Sequence, residues 1–213
     1  MLGATEGQPL QALQFQVRER SFRRGDVLMQ ERTRPESVLV IKVGAVFGQR
    51  TGLDGEVRPV GLWGRGAVFG LCGYAGERSQ VSAVAASAGR VCAIPLDALL
   101  AESRRNPTLD GQLTAALAGC FSGLAAWSET LRLQGVGRQL AYALLLLSRM
   151  QHSTVIELPD QKSLGALLGA SRESIARAMT VLEQVGAVRR LDRRVCEVMH
   201  AEVLRQLAPA TEH

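Results

Sequence analysis

The spacing of the apolar residues changes near Pro95, and that change constrains the fold more than any other feature of the chain. Residues 21 to 95 are rich in Val and Gly, with short apolar runs (VLVIKVGAVFG, VRPVGLWG, SAVAAS, RVCAIP) separated by glycine turns such as LDGE at 53 to 56. Many short strands joined by regular turns predict an antiparallel barrel or sandwich. From Leu109 the chain becomes Ala- and Leu-rich, and Leu113, Leu117, Cys120, Leu124, Trp127 and Leu131 recur in steps of four and three. That is a heptad seam on one helix. A β-rich half followed by a helical half predicts an α+β fold.

The seam has two readings. It pairs with its twin to make a homodimer, which Gly119, Gly123 and several alanines favour by letting a second helix approach closely, or it is a single amphipathic helix packed on the β-domain. LQGVGR at 133 to 138 is a predicted hinge, followed by a helix from about Gly137 to Gln151 and a short strand around TVIEL.

Hydrophobic residues make up 46% of the 213, enough for one large domain or two small ones with real cores. The formal charge of +5 fits a nucleic-acid binder and also many enzymes. The excess is local: residues 172 to 194 carry six arginines against Glu173, Glu183 and Asp192. Cys72, Cys92, Cys120 and Cys196 have no metal-ligand spacing and read as buried thiols of a cytosolic protein. MLGATEGQPLQALQ has no basic segment followed by an apolar run, so a signal peptide is not expected there. The longest apolar run, AYALLLLS, is far short of the ~18 residues that span a bilayer. A cytoplasmic protein without a membrane partner is expected.

The chemistry lies between Asp160 and Val198. Asp160 is a predicted N-cap for a helix whose core face is Leu164, Leu167 and Leu168, Gly169 is a left-handed stop, and Ser171 caps the next helix. Helix, three-residue turn containing Gly, helix is the helix-turn-helix pattern. Beyond Gly186, AVRRLDRRVCEV has apolar ends around a polar LD turn and reads as a β-hairpin wing. Within GASRESIARAM and just beyond, an ideal helix at about 100° per residue puts Arg172, Glu173, Ala176, Arg177 and Thr180 in one arc. Ile175, Ala178, Met179, Leu182 and Val185 fall in the other.

Arginine donates two parallel hydrogen bonds to guanine O6 and N7, and glutamate accepts from cytosine N4, so Arg172 and Glu173 suit G·C pairs in a major groove. Arg177, one turn on, reaches a further base or a phosphate. Ser171, the backbone N–H groups at the helix start and Arg189, Arg190, Arg193 and Arg194 of the wing suit phosphates, and Gln161 is counted among the DNA contacts. The plainer alternative is a capped, salt-bridged surface helix; the preceding helix, the turn and the wing count against it.

LPDQKSLGALLGASRESIARAMTVLEQVGAV resembles the winged helix-turn-helix of the CRP/FNR transcription regulators, most specifically in its SRExxxR core. Upstream, FRRGDVLMQERTRPESVLVIKVGAVFGQR and LDGEVRPVGLWGRGAVFG are similar to that family's cyclic-nucleotide-binding β-roll, so the resemblance runs from about Phe22 to Val198. It implies an antiparallel, jelly-roll-like β-roll sensor over residues 1–105, a long dimerisation helix over 106–134 and a winged helix-turn-helix over 135–213. It further implies that Arg172, Glu173 and Arg177 read a TGTGA-like half-site in an inverted repeat. A homodimer with RNA polymerase as a partner is expected, as an activator, although the sequence itself leaves activation and repression open. The FNR subtype has Glu-x-x-Ser-Arg there, which would place serine at Ala176, so the CRP-like site is expected.

The same resemblance locates an effector pocket at Gly70, Leu71, Arg78, Ser79, Gly123 and Leu124. In cyclic-AMP-binding members a glutamate after the cassette glycine holds the ribose hydroxyl, an Arg-Ser pair holds the phosphate, and Thr-Ser on the long helix contacts adenine. Here Arg78 and Ser79 are kept, but Leu71 stands at the glutamate position, the cassette is shorter, and Gly123-Leu124 replaces Thr-Ser. A leucine cannot accept a hydrogen bond from a ribose. Effector-independent activity is therefore expected, with a different small molecule or a thiol switch at Cys72 or Cys92 as the alternatives. No cysteine precedes Cys72 for an iron-sulfur cluster, and His152, His200 and His213 lie in or beyond the DNA-binding half, away from a haem-type sensor position. No metal or cofactor is expected. Nor is an enzyme, since there is no GKS/T loop, GxSxG or His/carboxylate cluster.

Overall fold

Residues 17–207 are described by the computed structural model. MLGATEGQPLQALQ, read above for a signal peptide, and His213 lie outside the described residues. Eight strands alternate with tight turns: β1 (Arg18–Phe22), β2 (Val27–Met29), β3 (Ser37–Val43), β4 (Val46–Thr51), β5 (Val57–Trp63), β6 (Val68–Phe69), β7 (Ser82–Ala85) and β8 (Gly89–Pro95). They form two antiparallel sheets in the orders β1-β8-β3-β6 and β2-β7-β4-β5. Phe22, Leu39, Ile41, Val46, Leu62, Phe69 and Val91 are buried between them. The α+β class and the antiparallel roll are those the sequence predicts.

One contact in the roll governs how the rest attaches. Gly48 and Gly61 are register partners across β4 and β5, and a Cβ on them would come within 2.6 and 2.4 Å of the Trp63 ring. Their bare backbone lets the indole lie against the sheet, edge-on to Phe69 with ring centroids 5.7 Å apart. Trp127 reaches the same spot from the following helix, its Cδ1 2.7 Å from where a Cβ on Gly61 would stand.

The helices are α1 (Leu96–Ser103), α2 (Pro107–Arg132) and α3 (Val136–Gln151). After them come β9 (Val155–Glu157), α4 (Gln161–Leu168), α5 (Arg172–Gln184), β10 (Val188–Arg190), β11 (Val195–Val198) and α6 (Ala201–Leu207). Asn106 starts α2 by accepting from the Thr108 and Leu109 N–H groups at 3.1 and 3.3 Å, with Pro107 at the first helical position, where its missing N–H costs nothing. β9 joins the wing in a three-stranded sheet of order β10-β11-β9.

The heptad seam of α2 requires a correction. Leu113 and Trp127 are buried within the chain, Leu117 and Cys120 pack on a cluster with Val38, Leu71 and Leu99, and Leu131 packs on the main core. Only Leu124 is exposed. A heptad stripe marks an apolar face without naming its partner, and here the β-roll takes that face. Two smaller expectations also change: Val185, directly after the end of α5, is exposed, and of the four cysteines only Cys196 is fully buried.

Candidate nucleic-acid interface

Local chemistry builds the helix pair. Asp160 Oδ1 accepts from the Ser163 N–H at 2.8 Å to start α4, Gly169 ends it at φ 63°, and Ser171 Oγ accepts from the Ser174 N–H at 3.1 Å to start α5. The turn is tight because Gly165 has no side chain: a Cβ there would stand 2.5 Å from the Ala170 carbonyl oxygen. Ile175, Met179 and Leu182 are buried, which turns Arg172, Glu173, Arg177 and Thr180 to solvent and leaves Ala176 half-buried. The Glu173 carboxyl lies below its ordinary range, held there by its own backbone N–H and the Ser171 hydroxyl, with Arg172 and Arg177 adding charge.

The wing pairs Val188 with Val198 and Arg190 with Cys196. Its turn is the four residues from Leu191 to Arg194 rather than LD alone, closed by the Leu191 N–H donating to the Val195 carbonyl at 2.9 Å.

Between α4, α5 and the wing lies a groove of about 890 Å³, where Gln161, Arg172, Arg190 and Arg193 meet. Lys162, which the sequence reading passed over, lines it as well. Arg190 and Arg189 are held by Glu183 and Glu197, each at 2.5 Å, so the wing's unpaired charge among the described residues is on Arg193 and Arg194. Arg177 stands on the other flank of α5, in a cleft of about 540 Å³ with Ser174 and Arg138. Its Nη2 donates to Ser174 Oγ at 3.2 Å. Arg138 also escaped the sequence reading; its one signal was its place directly after the hinge glycines.

Of the six effector-pocket candidates only Arg78 and Ser79 carry polar side chains, and each donates to a backbone carbonyl of the roll. Gly70 takes φ +85°, and a Cβ there would stand 2.6 Å from the Ser37 carbonyl oxygen. Leu71 is core. Ser79 is buried and its hydroxyl donates to the Val81 carbonyl at 2.7 Å, while exposed Arg78 donates to the Arg32 carbonyl at 3.0 Å. Gly123 faces Trp63 and Met150, and Leu124 points outward. The Tyr74 hydroxyl donates to the Asp110 carboxylate, tying the cassette to α2. Burial pushes the Cys72 and Cys120 thiols up from their ordinary value and Cys196 up to about 11, which disfavours the reactive thiolate. Among the described residues no cluster suits a metal ion, and no helix is long and apolar enough to cross a membrane.

Residues 19–106 match the family model of the cyclic nucleotide-binding domain, and residues 138–207 match that of the Crp-like helix-turn-helix domain. The chain is 32% identical over 175 residues to the Cyclic AMP receptor protein of Thermus thermophilus, spanning 81% of this chain and 80% of that one. Among solved structures it is similar to FixK2 from Bradyrhizobium japonicum, at 22% identity and a TM-score of 0.77 over 92% of this chain and 99% of that one. It is also similar to the Thermus thermophilus Catabolite Activator Protein, at 26% identity and a TM-score of 0.50 over 97% of each chain.

Proposed function

The chain belongs to the CRP/FNR family of transcription regulators, and on that premise we propose that it binds a TGTGA-like inverted repeat as a homodimer, without cyclic AMP, in the cytoplasm. The family is one of DNA-binding regulators and not of enzymes. In this reading residues 1–105 form the sensor, 106–134 the dimerisation helix and 135–213 the DNA-binding domain, and the bound dimer contacts RNA polymerase as an activator.

The observation that carries the reading is Arg172, exposed on α5 in one groove with Gln161, Lys162, Arg190 and Arg193 and adjacent in sequence to exposed Glu173. An arginine and a carboxylate at the start of an exposed helix meet the donor and acceptor pattern of G·C pairs, and the surrounding cations suit the phosphates.

With the apolar seam of α2 packed on the roll, the face left for a second copy is Thr114, Ala118, Phe121, Ala125 and Ser128, again in steps of four and three. Phe121 is 76% exposed. Small residues around one aromatic knob suit a close helix pair, which would hold two recognition helices about 34 Å apart.

Effector independence is supported by buried Leu71 and by the internal hydrogen bonds of Arg78 and Ser79. The second reading is a different small molecule or thiol redox acting through the roll, and the Tyr74 to Asp110 link is the contact that favours it. The two separate in one experiment: fluorescence anisotropy on a TGTGA inverted-repeat duplex and a scrambled duplex at fixed salt, with and without cyclic AMP. Specific binding without nucleotide is expected. Specific binding only with cyclic AMP would overturn effector independence, and no specific binding in either condition would point to another effector or operator.

A further inference from the structure

The groove that carries Arg172 and Lys162 also carries two acids that approaching DNA would meet, Asp192 in the wing turn beside Arg193 and Asp160 at the start of α4. Asp160 lines it beside Gln161, and its Oδ1 is occupied in capping α4. Its other oxygen, Oδ2, is held by Arg24. The second guanidinium nitrogen of Arg24 donates to Ser163 Oγ at 3.0 Å. Arg24 lies outside the helix-turn-helix, in the turn between β1 and β2, 136 residues from its partner.

The pair is at the surface, with side chains 45% and 34% exposed, so a phosphate can approach it. Behind it one apolar cluster runs from Leu62 and Trp63 of the roll to Leu164 of α4. Burial pushes the Asp160 carboxyl up, but the Ser163 hydrogen bonds and Arg24 outweigh it and leave the carboxyl ionised below its ordinary range.

An ionised carboxylate at the mouth of a phosphate-binding groove repels the DNA backbone, while the cap it supplies starts the helix. We infer that Arg24 is an accessory DNA-binding determinant supplied by the sensor: it cancels the charge of Asp160 at the start of α4. Full DNA affinity then requires the roll to be docked on the helix-turn-helix. The inference rests on the groove being the DNA interface.

The test compares full-length wild type, Arg24→Ala, Asp160→Asn and the double variant. Asn caps a helix about as well as Asp, so Asp160→Asn removes the charge and keeps the cap. Each protein is titrated at low salt with the TGTGA duplex and with a random duplex. Arg24→Ala weakens binding to both by about three- to tenfold, the deficit shrinks as salt is added, and Asp160→Asn restores affinity in the Arg24→Ala background. Arg24→Lys keeps wild-type affinity, and thermal melts of all variants separate lost folding from lost charge cancellation. Unchanged affinity in a folded Arg24→Ala overturns the inference. So does a loss that Asp160→Asn fails to restore, which would make Arg24 a direct phosphate ligand. The random duplex responds to charge alone, so it tests the inference even where the TGTGA reading fails; wild type that binds neither duplex overturns both.

Discussion

Glu31 keeps a carboxylate in the wall of the roll, its side chain only 7% exposed. The Thr51 N–H donates to Oε2 at 2.9 Å, and Arg32 and Arg50 stand 3.7 and 3.9 Å from Oε1. The Thr51 N–H foremost holds the carboxyl below its ordinary value of 4.5, and Arg58 brings Asp54 to about 2. A carboxyl depressed by folding stabilises the protein above its unfolded value, and that stability disappears as pH falls through the folded one. Melting temperature should therefore be flat near neutrality and fall below pH 4.5; Glu31→Gln should flatten part of that fall. An acid limb identical in the variant would remove Glu31 from the account. At the DNA face, Arg172→Ala should cost about 1–3 kcal/mol on a TGTGA duplex and little on random DNA, whereas Arg193→Ala should weaken both alike and lower the salt slope by about 1. Equal losses on both duplexes for Arg172→Ala would remove it from base reading.

Helix α2 shows what periodicity can and cannot say about an element. Its apolar stripe made the helix legible from Leu109, while the Asn106 cap and the start at Pro107, which are equally local, came only with the structure. Its partner was not, because a stripe at heptad spacing packs equally well on a sheet or on another helix. The opposite face makes the distinction testable. Phe121→Asp should yield a monomer by sedimentation with its melting temperature kept and its affinity for the full palindrome lost. Leu113→Asp puts a charge into a buried cluster and should unfold the protein instead, by about 3–5 kcal/mol or more. Should Phe121→Asp sediment as wild type does, the exposed face is not the dimer contact.

The whole molecule has a continuous apolar cluster that joins roll, long helix and DNA-binding half through Trp63, Trp127, Leu140, Leu144 and Leu164. The two halves should therefore unfold together. Far-UV circular dichroism and tryptophan fluorescence are expected to give coincident transitions, and Trp127→Ala, which empties the centre of the junction, should shift both by about 3–5 kcal/mol. Two separated transitions would mean that the junction does not couple the halves.

Local chemistry alone determined the strands and turns of the roll, the caps at Asp160 and Ser171, the stop at Gly169 and the outward arc of Arg172, Glu173 and Arg177. Each depends on residues within a few positions of one another, where hydrogen-bonding groups and side-chain period act directly. Only the tertiary structure decided which face of α2 is covered, that Arg189 and Arg190 are held by Glu197 and Glu183, and that Arg24 meets Asp160. Those outcomes join residues distant in the chain or on neighbouring strands and helices. Their pairing is set by how two sheets and a helix bury apolar surface around Trp63 and Trp127, a choice that no local pattern encodes.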